Sequence, residues 1–244
     1  MSRIVFQNSY LMVVPSFVKT ESHKHPMMHI FLGKNDCRIT VNGQEYFGRA
    51  IVVDSNVKHI VKEESGCDII MLIDPTCDLA EQLRESYLCK GVSAKALKSE
   101  IDLPENLFER SDPELVELSE NLFEGLGVKF DFSRQKDERI EQVIEKIISG
   151  EWLDLKIKEI ADNVYLSESR LTHLFKEEAG ISLKSYILIH KMEHAYKYVN
   201  SGGKITQAAH ESGFASSAHL AYTCKTLTGI SIRDVLKNSR FLKV

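Results

Sequence analysis

Long apolar runs are missing from this chain of 244 residues. The longest, such as Ile69 to Ile73, have the length of a strand, whereas a membrane-spanning helix needs about 20 consecutive apolar residues. The opening Met1-Ser2-Arg3-Ile4 has no extended apolar stretch of the secretory kind, so no membrane association is expected and a cytoplasmic location is. Paired cysteine motifs are missing too. Cys37, Cys67, Cys77, Cys89 and Cys224 are odd in number and contain no C-x-x-C, the pattern of reduced, mostly buried thiols rather than of a disulfide framework. Strong net charge is also absent: the balance is -4, which excludes a uniformly basic nucleic-acid coat. The charge is nevertheless uneven. Residues 1 to 133 carry 14 Lys and Arg against 21 Asp and Glu, and residues 134 to 244 carry 17 against 14. An acidic first half joined to a mildly basic second half suits a sensor attached to a phosphate-binding reader.

What the chain does have is one phrase written twice. Ile160-Ala161-Asp162-Asn163-Val164-Tyr165-Leu166-Ser167, followed by Leu171, Phe175-Lys176 and Gly180-Ile181-Ser182, is echoed later. The echo is Ala208-Ala209-His210-Glu211-Ser212-Gly213-Phe214, followed by Leu220, Cys224-Lys225 and Gly229-Ile230-Ser231. The offset is 48 up to Phe214 and 49 from Leu220, so one extra residue is expected in the second inter-helix turn. Each copy reads as a helix-turn-helix, and two copies point to one task performed twice on a repeating object such as duplex DNA.

The period of the apolar residues sets the fold class, α+β. Short β-branched runs fill residues 1–75: Ile4 to Phe6, Tyr10 to Val14, His29 to Leu32, Arg38 to Val41, Ala50 to Val53, His59 to Val61 and Asp68 to Ile73. Turn signals separate them, including Asn42-Gly43, which favours a type I′ hairpin. A small all-β barrel or double-sheet sandwich is expected there. Residues 76–135 read as a helical connector and linker. One helix carries Leu79, Leu83, Tyr87 and Leu88, and a second, opened by Asp112-Pro113, carries Leu115, Leu118, Leu122 and Phe123. Their apolar stripes are expected to form a homodimer surface or to cover the barrel. Residues 136–244 form an all-α domain, its first helix burying Ile140, Val143, Ile144, Ile147 and Ile148.

Within each unit the second helix is the expected reader. In the first, Asp154 or a neighbour starts the leading helix, Ser167 caps the reader, and Ser169, Arg170, Thr172, His173 and Lys176 lie away from Leu171, Leu174 and Phe175. In the second, Ser216 or Ser217 is the cap; Ser217, Ala218, Ala221 and Tyr222 face outward and Lys225 is near for phosphate. A long helix from Ser182 to about Val199 spaces the two units.

With the spacer Lys191-Met192-Glu193-His194-Ala195, these phrases make residues 137 to 240 resemble the AraC/XylS family of bacterial transcription regulators. The resemblance implies base contacts by Ser169, Thr172 and His173, and by Ser217, Ala218, Ala221 and Tyr222. It also implies promoter DNA and RNA polymerase as partners, and activation as the sense of control. The second unit departs from the family pattern at Tyr222, Cys224, Ile232, Val235 and Leu236, so the first reader is expected to carry more of the specificity.

The β region resembles the cupin-like sensor often found ahead of such a reader. His23-Lys24-His25-Pro26-Met27-Met28-His29 and Gly48 to His59 carry the resemblance: His23, His25 and His59 match metal-ligand positions by spacing. His29 stands at the usual Glu, and Asp54 and Asn56 stand at the usual Pro and Gly. Met27, Met28, Phe31, Phe47 and Met71 are candidates to line a cavity. The resemblance implies a small-molecule effector in the barrel. A divalent metal at His23, His25, His29 and His59 is the alternative, and neutral imidazoles suit Zn, Ni, Cu or Fe. A metal-dependent enzyme with a tethered DNA reader is the further alternative; no separate acid, base or nucleophile constellation accompanies the histidines, so the chain is not read as an enzyme.

Overall fold

A computed structural model describes residues 3–15, 22–62, 64–98, 102–128, 137–179 and 181–228. The chain divides into two compact units, one made of Met1–Pro75, Leu79–Phe130 and Cys224–Val244, the other of Thr76–Asp78 and Asp131–Thr223.

The first unit is built on one antiparallel sheet. Its strands are β1 (Arg3–Phe6), β2 (Tyr10–Val14), β3 (Met28–Val41), β4 (Gln44–Val53), β5 (His59–Val61), β6 (Ile69–Ile73) and β7 (Ala94–Leu97). They lie in the order β1-β2-β6-β3-β4-β7, with β5 paired to the distal half of β3. The expected hairpin is present: Val41 pairs with Gln44, and Asn42 and Gly43 both take positive φ, 49° and 85°. Two runs that read as separate strands, His29 to Leu32 and Arg38 to Val41, are one long strand bent where the register shifts between Leu32 and Cys37. At that bend a Cβ on Gly33 would lie 2.5 Å from the Asn35 carbonyl oxygen and 2.6 Å from that of Gly66. Glycine is the residue that the bend admits.

Alternation along the strands sends two apolar sets to opposite faces. One face carries Leu11, Val13, Phe31, Ile39, Val41, Ile51, Val53, Ile70 and Leu72. Met12, Met28, Ile30, Leu32, Val52, Met71 and Ile73 alternate with these and are equally buried. Helix α1 (Asp78–Tyr87) buries Leu79, Ala80 and Leu83, and α2 (Asp112–Gly125) buries Leu115, Ser119, Leu122 and Phe123. The α2 start carries a capping box, in which the Ser111 hydroxyl and Glu114 carboxylate each accept the other's backbone N–H. Tyr10 meets Phe123 edge-on at 5.0 Å and its hydroxyl lies 2.6 Å from that of Ser119; buried Arg3 pairs with Asp112 at 2.6 Å. The α2 stripe therefore lies against the sheet, the covering role rather than that of an open surface for a second copy. Strand β7, in a stretch that reads as polar connector, pairs with β4 and extends the sheet past residue 75.

The second unit is helical: α3 (Glu138–Ile148), α4 (Ile157–Asn163), α5 (Glu168–Ala179), α6 (Leu183–Asn200), α7 (Ile205–Glu211) and most of α8 (Ser217–Thr228). In α3, Ile140, Val143 and Ile147 are fully buried, whereas Ile148 is exposed, one position beyond the 3.6-residue stripe. Helix α4 begins after Lys156, whose N–H is taken by the Glu159 carboxylate at 2.7 Å, so neither Asp154 nor its side chain caps it. The expected linker positions Lys129, Asp131, Ser133 and Arg134, and the repeated-phrase residues Gly180, Gly229, Ile230 and Ser231, lie outside the described residues, as do Ile232, Val235 and Leu236. Among the described residues no helix is long and apolar enough to cross a membrane.

Gly33→Ala is expected to destabilise the first unit by about 1–3 kcal/mol, because the added methyl collides with two backbone carbonyls rather than with movable side chains. Chemical unfolding followed by near-ultraviolet dichroism measures the shift in midpoint; an unchanged midpoint contradicts the packing assigned to the bend.

Candidate functional site

The two helical phrases become two copies of the same backbone. In the first, the Leu166 N–H donates to the Ala161 carbonyl at 2.9 Å across Tyr165, which takes φ +55°. In the second, 48 residues on, the Phe214 N–H donates to the Ala209 carbonyl at 2.8 Å across Gly213, at φ +68°. This is the tight left-handed close of a leading helix. The reader caps follow at the other offset. The Ser167 hydroxyl accepts from the Arg170 N–H at 3.2 Å, and the Ser216 hydroxyl accepts from the His219 N–H at 3.1 Å, 49 residues later. The extra residue is therefore Ala215, and Ser216 rather than Ser217 is the second cap.

Both readers bury one side and show the other. Leu171, Leu174 and Phe175 are packed, with Phe175 edge-on to Tyr186 of α6 at 5.2 Å; their counterparts Leu220, Thr223 and Cys224 are buried as well. On the first reader Ser167, Ser169, Arg170 and His173 are exposed and Thr172 and Lys176 half-buried; all of these except Thr172 line one open concavity, together with Glu177. On the second, Ser216, Ala218, Tyr222 and Lys225 are exposed, and Ser217 and Ala221 half-buried. The 49-residue offset pairs Arg170 with His219, an exposed side chain that the sequence reading passed over. Thr172 already donates its hydroxyl to the Glu168 and Ser169 carbonyls, both at 3.0 Å, which leaves its acceptor lone pairs and methyl group for a ligand. The Lys176 ammonium is 2.7 Å from the Asp78 carboxylate and also donates to the Thr76 carbonyl.

Helix α6 ties the two copies together. His194 lies 3.1 Å from the Ile148 carbonyl at the end of α3, and Lys191 donates to the Gly213 carbonyl in the second turn at 2.8 Å. A Cβ on Gly213 would sit 2.0 Å from the Asp154 carboxylate and 2.8 Å from the Lys191 ammonium, so that turn is closed over a charged contact.

The sheet unit gathers the four histidines picked out in the sequence. His23 and His59 face each other through two backbone bonds, 3.2 and 2.9 Å, and the Asn56 N–H donates to the His25 carbonyl at 2.9 Å. Asn56 holds φ +58°, a conformation that suits the glycine usual at this position and that Asn tolerates. Asp54, at the usual proline, accepts from the Ser55 N–H and pairs with Arg84 at 2.9 Å. Ring centres are 4.4 Å apart for His23 and His59, 4.6 Å for His25 and His29, and 4.5 Å for His29 and His59. His29 stacks on Phe31, two residues along the same face of β3, at 5.0 Å. Met28 and Met71 belong to the opposite face and Phe47 is about half exposed under the Arg38 guanidinium, so of the expected lining residues Met27 and Phe31 belong to the core on the histidine side.

His25, His29 and His59 are each about 3% exposed. Burial pushes the His25 imidazole down to about 3, with His59 and His23 adding to the effect. Burial likewise takes His59 to about 4 against the opposing pull of the Val57 carbonyl, and holds His29 well below the usual range. All three are neutral at pH 7. Both ring nitrogens of His25 and Nδ1 of His29 are buried without a hydrogen bond, at a cost of about 1–3 kcal/mol for each such group. Donor atoms of His23, His25 and His59 all lie within 4.8 Å of one another.

Residues 160–238 match the family model described as a helix-turn-helix domain, and this part of the chain carries a helix-turn-helix domain of the AraC type. Among curated proteins, the chain is similar to the HTH-type transcriptional regulator YdeO of Shigella flexneri, 26% identical over 102 residues, which are 42% of this chain and 39% of that protein. YdeO of Escherichia coli K12 is 31% identical over 85 residues, 35% and 33% of the two chains. An HTH-type transcriptional regulator of Staphylococcus aureus is 31% identical over 93 residues, 38% of this chain and 12% of that one. The match thus spans about two fifths or less of these relatives. Among solved structures, ToxT of Vibrio cholerae O395 aligns over 97% of this chain and 96% of its own, with a TM-score of 0.48 and 13% identity. The C-terminal domain of AraT from Geobacillus stearothermophilus aligns over 45% and 92%, with a TM-score of 0.41 and 19% identity.

The depressed histidines fix a sign for acid stability. Below about pH 6.5 an unfolded chain takes up protons that the folded His25 and His59 refuse until about pH 3 to 4, so each proton favours unfolding. With a chelator present, stability of the sheet unit is expected to hold above pH 6.5 and to fall progressively toward pH 4. Unfolding midpoints across this range test it; His25→Leu is expected to flatten the slope, and an equal slope in both proteins refutes the assignment.

Proposed function

We propose that the chain is a sequence-specific transcription regulator that places α5 and α8 in successive major-groove segments of double-stranded promoter DNA, under the control of a small effector bound by the N-terminal sheet. The observation that carries the DNA reading is the duplicated unit: same turn bond, same capped reader, same outward row, at offsets of 48 and 49. A reader helix presents its N-terminal half to base edges while residues at its flanks hold phosphate. Ser169, Arg170, Thr172 and His173 take the base-facing role in the first reader, and Ser217, Ala218, His219, Ala221 and Tyr222 in the second. Ser167 and Ser216 cap the readers, and Lys176 and Lys225 are the phosphate contacts. The first reader is richer in hydrogen-bonding groups and discriminates more. The Asp78 carboxylate competes with phosphate for Lys176, so DNA binding exchanges one partner for the other.

The effector can shift this equilibrium only by binding one arrangement of the protein better than the other. The same reading takes activation as the sense of control, with RNA polymerase and a second copy of the chain as partners. The curated relatives, all named as HTH-type transcriptional regulators, support it over the matched region.

Selection from a random duplex pool is expected to return two half-sites about one helical turn apart for each chain. No preference over genomic competitor DNA overturns the reading. His173→Ala is expected to relax discrimination at one base position. Lys176→Ala is expected to weaken all duplexes alike and to reduce the salt slope by about 1. Asp78→Asn is expected to tighten binding to every duplex by up to about fivefold, since exposed ion pairs contribute about 0–1 kcal/mol. Titrations of the selected duplex over a range of salt concentrations measure both lysine-linked effects.

A further inference from the structure

We propose that His23, His25 and His59, with His29 beside them, form a binding site for one divalent first-row transition-metal ion, and that this ion is the effector of the DNA-reading part; the effector clause rests on the reading above. Three observations point to a metal ion rather than to an organic molecule. The first is size. For three atoms no more than 4.8 Å apart, some point lies within about 2.8 Å of all of them, the side divided by the square root of three. A Zn–N bond is about 2.0–2.1 Å, so ring shifts of under about 1 Å close the shell around a single ion. Three donors so close together leave no room between them for a larger body.

The second is the state of the donors. Imidazoles that are buried and close to one another stay neutral, the form that ligates, and both nitrogens of His25 are turned into the protein without a partner. An ion bonded to one of them relieves that exposure of a lone pair to an apolar interior. The third is orientation. His59 Nδ1 lies 2.9 Å from the Val57 carbonyl oxygen, which can only accept, so Nδ1 carries the proton and Nε2 keeps its lone pair. A backbone carbonyl that sets the tautomer of a ligand histidine is a regular feature of metal sites. His23 is held opposite His59 by the paired backbone bonds, and Asn56 pins the His25 carbonyl, so the three residues are presented by main-chain contacts rather than by mobile loops.

The donor set also selects the metal. No carboxylate takes part: His29 occupies the position next to His25 and His59, at 4.6 and 4.5 Å between ring centres. Neutral nitrogen ligands favour Zn, Ni, Co, Cu or Fe over Mg and Ca, which require oxygen. The bound ion keeps its full positive charge in a buried place, and charges of that size bias whichever arrangement of the chain contains them.

Calorimetry on the full chain, stripped with chelator and titrated separately with Zn2+, Ni2+ and Co2+, is the test. One equivalent is expected to bind, Co2+ is expected to acquire visible absorption of a nitrogen-ligated ion, and Mg2+ is expected not to compete. His25→Gln and His59→Gln are expected to weaken binding at least 100-fold. His23→Gln, at a half-buried position, supplies the same loss in a chain whose melting curve is expected to match that of the stripped parent. Absence of binding by all three ions, or binding that survives all three substitutions, overturns the site. Stripped and loaded protein are then compared on the selected duplex, with a change of at least fivefold expected. Equal affinities overturn the effector role and leave the site standing. Failure of both forms to bind any duplex overturns the DNA reading instead, because calorimetry decides the metal site without DNA.

Discussion

A backbone bond across a left-handed residue, made twice, is the constraint on which the helical unit depends. Leu166 to Ala161 and Phe214 to Ala209 end each leading helix abruptly, and the next serine restarts the chain as a reader. Since the bond fixes the exit direction of the chain, the side of the reader that carries Leu171 and Phe175, or Leu220 and Cys224, is turned inward and the polar row is turned out. Residue type matters less here than geometry. The first turn uses Tyr165, a strained choice that leaves its ring in solvent; the second uses Gly213, packed beneath Lys191 and Asp154.

Helix α6 converts two local motifs into one rigid object. It runs for 18 residues, about 27 Å at 1.5 Å per residue, and is buried on several sides by Leu183, Tyr186, Ile189, Met192, Ala195 and Tyr196. Lys191 and His194, both within the spacer phrase, reach in different directions to carbonyls at the second turn and at the end of α3. A basic or polar side chain in a spacer helix therefore has a structural employment here. Deformation of one copy is transmitted to the other through bonded contacts rather than through loose packing.

The sheet unit shows how a polar cluster is hidden in an apolar fold. Strand alternation would bury His29 whatever its chemistry, because Phe31, Ile39 and Val41 belong to the same face. The turn at Asn56 and the His23–His59 bridge then bring three more imidazoles to that end of the strand. Much of this was legible beforehand: the strands, the hairpin at Asn42-Gly43, the histidine phrase and most of the helix faces each have a local signal. Other features were not. Strand β7 lacks the β-branched residues that mark a strand and gains its identity from pairing with β4. Ile148 is apolar yet lies off the buried stripe, and Met28 and Met71 look like cavity residues until the register assigns them to the other face. His219 was overlooked although the 49-residue offset sets it opposite Arg170.

The sequence by itself determined the duplicated reader, because repeated caps, turn residues and apolar spacings act over a few residues and need no distant partner. It also determined which histidines and which outward side chains were candidates. Tertiary structure alone decided that the extra residue of the second turn is Ala215, that the α2 stripe covers the sheet, and that Lys176 is already held by Asp78. It alone decided that four imidazoles spread over 37 positions meet within one cluster of rings. Those outcomes depend on strand register and on contacts between residues far apart in the chain, and no local propensity encodes a distance of that kind.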